Sequence, residues 1–254
     1  MSTVFLMYHE IELPKRKFCQ SEPGYVRYVI AIDELRAQMS AIRKSGLRGV
    51  SVSEALSFSS AAVALTIDDG CETDLLAIAP VLKQFGYTAT FYITAGLLGK
   101  PGYMSTSQLR ELSALDFEIG SHSMTHPYLS DLDEAGLQHE IVDSKVMLED
   151  IIGKPVEHFS CPGGRYDSRA ITVAKKAGYR SVANSNPRAN SASSDRFALG
   201  RVAITRDLST AAFQRLCRGQ MSWMLGLRVG LRDNAKRLLG NTAYDRVRSA
   251  LLKR

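Results

Sequence analysis

No hydrophobic run in this 254-residue chain approaches the length that a bilayer span needs, so no membrane-crossing helix is expected. Cysteine is sparse: Cys19, Cys71, Cys161 and Cys217 are widely spaced and include no CxxC pair. That spacing argues against a disulfide framework or a structural zinc site and suits reduced thiols. Tryptophan occurs once, at Trp223, and histidine only five times. The opening MSTVFLMYHEIE lacks a basic stretch followed by a long apolar run and a small-residue cleavage site. A cytoplasmic address is therefore expected.

What is present suits a globular protein. Hydrophobic residues make up 45% and charged residues 23%, enough for a sizeable core. The net charge of +6 is lopsided: residues 196–254 carry 13 Lys/Arg against 3 Asp/Glu, leaving the first 195 residues slightly acidic. The basic character thus belongs to the C-terminal segment, and nothing in the remainder calls for an acidic partner.

Short apolar runs alternate with amphipathic stretches. Strands are expected at residues 4–8, 62–67, 88–94, 117–120, 157–161, 179–183 and 196–204, with a strand or turn at 49–53. Helices are expected at 32–43, 54–58, 74–85, 105–115 (with Ser105 as N-cap), 132–152 and 168–177, and loops at 14–25 and 184–194. This alternation predicts an α/β fold with a parallel sheet, closed or nearly closed into a (β/α) barrel of about seven units, a distorted TIM-like form. Residues 1–206 would form the barrel and 207–254 a basic helical extension. Chemistry in such barrels sits on the loops that follow the strands.

Two of those loops stand out. In LTIDDG, Asp68-Asp69-Gly70 is expected as the exit turn of the apolar 62–67 strand, where adjacent carboxylates repel and are costly to desolvate. Asp-Gly also makes ordinary turns, so the pair by itself is ambiguous. In EIGSHSMTHPYLS, His122 and His126 follow another strand at i, i+4 spacing. If Ser123–His126 makes one helical turn, the two imidazoles share a face and can hold one divalent cation; otherwise they are capping or surface histidines. An aspartate with two histidines makes an open metal site with positions left for water and substrate. The neighbouring carboxylate can then take a proton from water, and the cation explains why two carboxylates tolerate each other.

Thr66–Gly70 (TIDDG) and His122–His126 (HSMTH) resemble the first two motifs of the polysaccharide deacetylase family, the fourth family of carbohydrate esterases, also known as the NodB-homology domain. The resemblance extends over roughly residues 4–204, and the opening FLMYHEI is also similar to bacterial members. It implies that Asp68 is the general base and that Asp69, His122 and His126 bind the metal, Zn2+ by default with Co2+, Ni2+ or Mn2+ able to serve. The third family motif, Arg-x-Pro-aromatic, is altered. FSCPGGRY keeps Pro162 but has Ser160 and Gly163 at the arginine and aromatic positions. A backbone N–H of this loop could still serve the oxyanion, with Arg165 or Tyr166 partly replacing the missing groups, although PGGRYD also reads as a tight glycine turn. The family's tryptophan motif is not visible, and LGRVAITRDL lacks the histidine that normally supplies the general acid. His9 follows the first strand, which neighbours the last in a barrel, and so becomes the candidate acid, unless it is simply a packed histidine.

The implied activity is metal-dependent removal of N-acetyl groups from an amino sugar in a bacterial glycan or its lipid-linked precursor. Deformylation or another amide hydrolysis on the same fold is an alternative, and a non-catalytic glycan-binding module is another. Residues 221–254 mix apolar residues with spaced arginines, which suits packing on the barrel or contact with an anionic membrane surface, hence a cytoplasmic or peripheral inner-membrane setting. No nucleic-acid-binding motif is present, and no nucleic-acid partner is expected.

Overall fold

The computed structural model describes residues 2–57 and 61–220. In chain order the strands are β1 (Ser2–Tyr8), β2 (Ile11–Glu12), β3 (Ile30–Ala31), β4 (Arg48–Val50), β5 (Ala62–Asp69), β6 (Thr90–Ile93), β7 (Glu118–Ser121), β8 (His158–Ser160), β9 (Ser181–Ala183), β10 (Ala189–Ser191) and β11 (Val202–Ala203). Parallel pairing runs β1-β5-β6-β7-β8-β9, and β11 lies parallel to the other edge of β1. A bridge from Ala183 to Leu199 joins β9 to the segment leading into β11. These seven parallel strands form a distorted (β/α)7 barrel. β4 adds to the lower half of β5, β10 runs antiparallel to the start of β1, and β2 and β3 make a separate small pair.

Period-two alternation explains the interior. Phe5, Ala64, Tyr92, Ala183 and Leu199 form a cluster inside the barrel, while their neighbours Val4, Leu6, Val63 and Leu65 join the larger core under the helices. Along β5 the inward set continues from Ala64 through Thr66 to Asp68, so the same alternation that fills the barrel aims one carboxylate into it. Gly120 lacks a side chain for a specific reason: a Cβ there would stand 2.5 Å from the Tyr92 ring. Tyr92 therefore fills the centre only because β7 carries a glycine opposite it.

The helices lie where the apolar spacing places them. Ser105 caps Thr106–Ala114 in a reciprocal box: its Oγ accepts from the Gln108 N–H at 3.2 Å, and the Gln108 side chain accepts from the Ser105 N–H at 2.8 Å. The expected 74–85 helix begins with a π turn, Asp74–Ile78, ahead of Ala79–Phe85. Pro80 brings no N–H to an ordinary helical ladder at that junction, and the wider turn accommodates it. The expected 132–152 helix is likewise Glu134–Gln138 and Ser144–Ile152 joined through a π turn, His139–Asp143.

Three local expectations are corrected. The 196–204 strand is a 3-10 turn at Arg196–Ala198 followed by only Val202–Ala203, and the polar 184–194 loop contains β10. Short pieces of this kind are held by tertiary pairing with β1, which local patterning does not reveal. Asp68 and Asp69 are the last paired residues of β5, opposite Tyr92 and Ile93, and not its exit turn. Helix Thr210–Cys217 packs Phe213, Leu216 and Cys217 into the barrel's outer core. Residues 221–254, the remainder of the expected basic helical extension, lie outside the described residues. Among the described residues, no helix is long and apolar enough to cross a membrane.

Candidate active site

The two adjacent carboxylates face different partners. Asp68, 2% exposed, continues the inward row of β5. Asp69 has φ 86, a left-handed backbone that a β-strand residue rarely adopts, and this re-aims its side chain toward the histidines. Ser123 (φ 70) and His126 (φ 68) share that unusual conformation. Three such residues, one at the end of β5 and two on the loop after β7, mark stored backbone strain at one spot, as functional sites often do.

The helical turn expected at Ser123–His126 does not form. His122 extends from β7, and the loop bends through Ser123 and His126 until both rings face Asp69. His122 Nε2 and His126 Nε2 each lie 3.6 Å from Asp69 Oδ1, and the ring centroids are 4.9 Å apart. His122 Nδ1 is 2.8 Å from the Ser160 carbonyl, which can only accept, so the proton sits on Nδ1 and the Nε2 lone pair faces the cluster. Burial pushes the His122 imidazole down to about 4, against the opposing pull of Asp68, so at neutral pH it is an uncharged donor.

These three residues fit a metal. One donor atom from each of Asp69, His122 and His126 lies within 4.8 Å of the others. A tetrahedral ion with bonds of about 2.0–2.2 Å spaces its ligands about 3.3–3.6 Å apart. The two 3.6 Å separations from Asp69 Oδ1 lie at the upper end of that range.

Beneath the cluster lies a residue that the motif reading passes over. Arg201, 1% exposed, forks onto Asp68, with Nη1 to Oδ1 and Nη2 to Oδ2 both at 2.7 Å. Its remaining N–H groups reach Ser160 Oγ (2.7 Å), Thr66 Oγ1 (3.1 Å) and the Asn184 carbonyl (3.2 Å). All five donors are thus used, which is what a buried guanidinium requires. Burial alone would push the Asp68 carboxyl up. Arg201 and then His122 override it and hold the group well below the usual carboxylate range. Ser160 stands where the resembled motif has arginine, and the guanidinium that meets its hydroxyl comes instead from the residue just before β11. The available signal is an arginine set among apolar residues in LGRVAITR, because a charge in a buried strand must find a counter-charge.

Glu140 is a second residue without a motif. Its carboxylate, 4% exposed, accepts from the Met124 N–H (2.8 Å), the Thr125 N–H (2.8 Å) and Thr125 Oγ1 (2.6 Å). It thereby clamps the loop between the two histidines from the π turn of the neighbouring helix. Glu140→Ala should weaken metal binding about 10–100-fold, as removal of outer ligand supports commonly does. Glu140→Gln, which keeps one acceptor, should lose less. A chelator-competition titration reads both, and equal affinity in the alanine variant would show that the loop holds itself.

The other predicted residues have contacts of their own. Pro162 is buried in a tight turn, Pro162–Gly164. Gly163 there has φ 59, and a Cβ would stand 2.7 Å from the Tyr128 ring, so both conformation and space demand glycine. Arg165 places its guanidinium 3.8 Å from the Tyr128 ring centroid, and Tyr166 Oη accepts from Asn184 Nδ2 at 3.2 Å. His9 is half-buried and stacks on Tyr28 at 4.8 Å, its Nδ1 has no hydrogen-bond partner, and it is close enough to act on the Asp68 charge. His158, by contrast, is tied at both ring nitrogens, to Ser53 and Ser181, and is structural.

Comparison with known proteins bears on the family and the fold. The family model described as polysaccharide deacetylase matches residues 56–182, a span that holds both carboxylates and both histidines. YxkH of Bacillus subtilis is 30% identical over 151 residues, covering 59% of this chain and 54% of YxkH. The peptidoglycan-N-acetylglucosamine deacetylase of Bacillus cereus is 31% identical over 121 residues, covering 47% of this chain and 54% of that protein. The chain therefore spans about half the length of these curated relatives. The solved deacetylase PplD of Streptococcus pyogenes, in complex with acetate, shares the fold at a TM-score of 0.76 and 21% identity, covering 87% of this chain and 99% of that one.

Proposed function

This chain belongs to the polysaccharide deacetylase family, and from that premise we propose a metal-dependent hydrolase that removes N-acetyl groups from an amino sugar in a bacterial glycan or its lipid-linked precursor. The observation that carries the reading is the pairing of Asp68 with Arg201. An ionised base is held with Oδ2 only 3.7 Å from His122 Nε2, at the edge of a three-donor metal cluster.

Asp69, His122 and His126 would hold the ion, Zn2+ by preference for a mixed histidine and carboxylate set. When bound, such an ion polarises the amide carbonyl and makes hydroxide accessible near neutral pH. Asp68 accepts the proton of the attacking water. Its Arg201 partner keeps the carboxylate deprotonated and locked in direction, so that the base is ready before substrate arrives. The oxyanion donor is assigned to the backbone N–H of Gly163, because the N–H groups of Gly164 and Arg165 bond to Cys161 and Pro162 carbonyls. His9, with its unpartnered Nδ1, protonates the leaving amine. The products are acetate and a free amino sugar.

The test is elemental analysis of the purified protein beside the His122→Ala/His126→Ala double variant, with acetate release from N-acetylated chitooligosaccharides measured on both. About one equivalent of divalent metal is expected in the wild type, with almost none in the variant and no acetate released by it. No metal in either protein, even after soaking with zinc or cobalt, would sink the mechanism and leave a glycan-binding module. Formate released from a formylated substrate without any acetate would redirect the reading to deformylation.

A further inference from the structure

Cys19 and Cys71 are 52 residues apart in the chain, yet their sulfurs lie 3.0 Å from each other. That is about 1 Å beyond the covalent length of about 2.05 Å and closer than nonbonded sulfurs ordinarily rest. We propose that Cys19 and Cys71 are a reversible dithiol–disulfide site, which when oxidised staples the loop after β2 to the residue just beyond the Asp69-Gly70 corner.

The surroundings hold both sulfurs in place. The backbone N–H of Cys19 donates to Glu10 Oε2 (3.0 Å), and its Sγ lies 3.0 Å from the Gly102 carbonyl. Arg16 bonds Glu10 and also reaches the Gly102 carbonyl at 2.7 Å, so the loop is anchored at both ends of the cysteine. Cys71 is fully buried and paired in a bridge with Tyr103. The Tyr25 hydroxyl, 3.4 Å from Cys71 Sγ, donates to Glu10 Oε2 at 3.0 Å. Cys19 is half-buried and so reachable from solvent, while Cys71 is not. This asymmetry matches an attacking and a resolving thiol.

Glu10, Cys19 and Cys71 also lie close enough together to suggest a cation site. The Glu10 carboxylate, however, already accepts from Arg16, the Cys19 N–H and Tyr25, and the Arg16 guanidinium stands 3.8 Å from Cys19 Sγ. A second positive charge would have to displace that arginine, whereas a disulfide needs no charge at all.

The oxidant is a disulfide of another molecule, small or protein-borne. Cys19 sulfur attacks one sulfur of that disulfide, whose S–S bond breaks, and the first thiol departs with the Cys19 proton. Cys71 sulfur then attacks Cys19 sulfur, the mixed bond breaks, and the second thiol departs with the Cys71 proton. Two protein thiols are oxidised to one disulfide, and the external disulfide is reduced to two thiols.

The experiment incubates the full chain with excess oxidised glutathione and follows intact mass, peptide mapping and thermal unfolding. The expected product is lighter by two hydrogens and joined at Cys19–Cys71. Its unfolding midpoint should rise by roughly 5–10 °C, because the link closes a long loop in the unfolded chain, and dithiothreitol should reverse both changes. Cys19→Ser and Cys71→Ser should each abolish the rise, with buried Cys161 and Cys217 remaining free in all proteins. A glutathione adduct that persists on Cys19, a link to another cysteine, or four thiols that stay free would each overturn the proposal. So would zinc that blocks oxidation in the His122→Ala/His126→Ala variant, which would assign the cluster to a cation. None of these readouts depends on deacetylase activity.

Discussion

Arg201→Ala should cost about 3–5 kcal/mol of stability, because it leaves the Asp68 carboxylate buried without its counter-charge. It should also remove the base. With the guanidinium gone, burial pushes the Asp68 carboxyl up, and whatever fraction is protonated accepts no proton from water. The acid limb of kcat/KM against pH should therefore move upward, and activity at neutral pH should fall by about 10²–10⁴-fold, the usual worth of a positioned base. Linkage has the matching sign. The folded-state value of Asp68 lies below the unfolded value of about 3.9, so the pair contributes stability at pH above that value. The contribution is lost as pH falls below it toward the folded value. Thermal unfolding and a pH profile check both halves. Arg201→Lys, which keeps the charge but not the fork, serves if the alanine variant does not fold; it should retain the stability better than the activity. An unchanged acid limb in both variants would remove Arg201 from the mechanism.

Asp68→Asn and Asp69→Asn should separate two roles carried by neighbouring residues. Asp68→Asn should keep its metal and lose about 10²–10⁴-fold in acetate release, because the amide cannot take a proton. Asp69→Asn should lose metal and activity together, since it removes the only anionic donor of the three. Elemental analysis and acetate release on the same preparations read both. If Asp68→Asn also came out free of metal, the two carboxylates would not divide as β5 presents them, and the assignment of base and ligand would fail.

What could be read from the sequence is what depends on nearby residues. Alternating runs of apolar strands and amphipathic helices sufficed for a seven-unit barrel, because each element's period lies within its own few residues. TIDDG and HSMTH, each following an apolar strand, were enough to place the candidate chemistry on strand-end loops, since a barrel gathers those loops on one face. Ser105 with Gln108 marked a helix start for the same local reason.

What tertiary structure alone decided are the partnerships across the barrel. Arg201 meets Asp68 from 133 residues away, and no spacing rule links them. Two histidines at i, i+4 suggested a helical face, but left-handed residues at Ser123 and His126 bring the rings together by another path. β10 forms inside a polar stretch because the start of β1, below the reach of β11, offers it unpaired backbone groups that only the assembled sheet presents. Cysteines that look widely spaced come to 3.0 Å for the same reason. The chain therefore determined its elements and the residue types of its site, while the convergence of strand ends determined which residues act together. Local periodicity is written in consecutive residues; the pairing of distant charges and sulfurs exists only once the barrel closes.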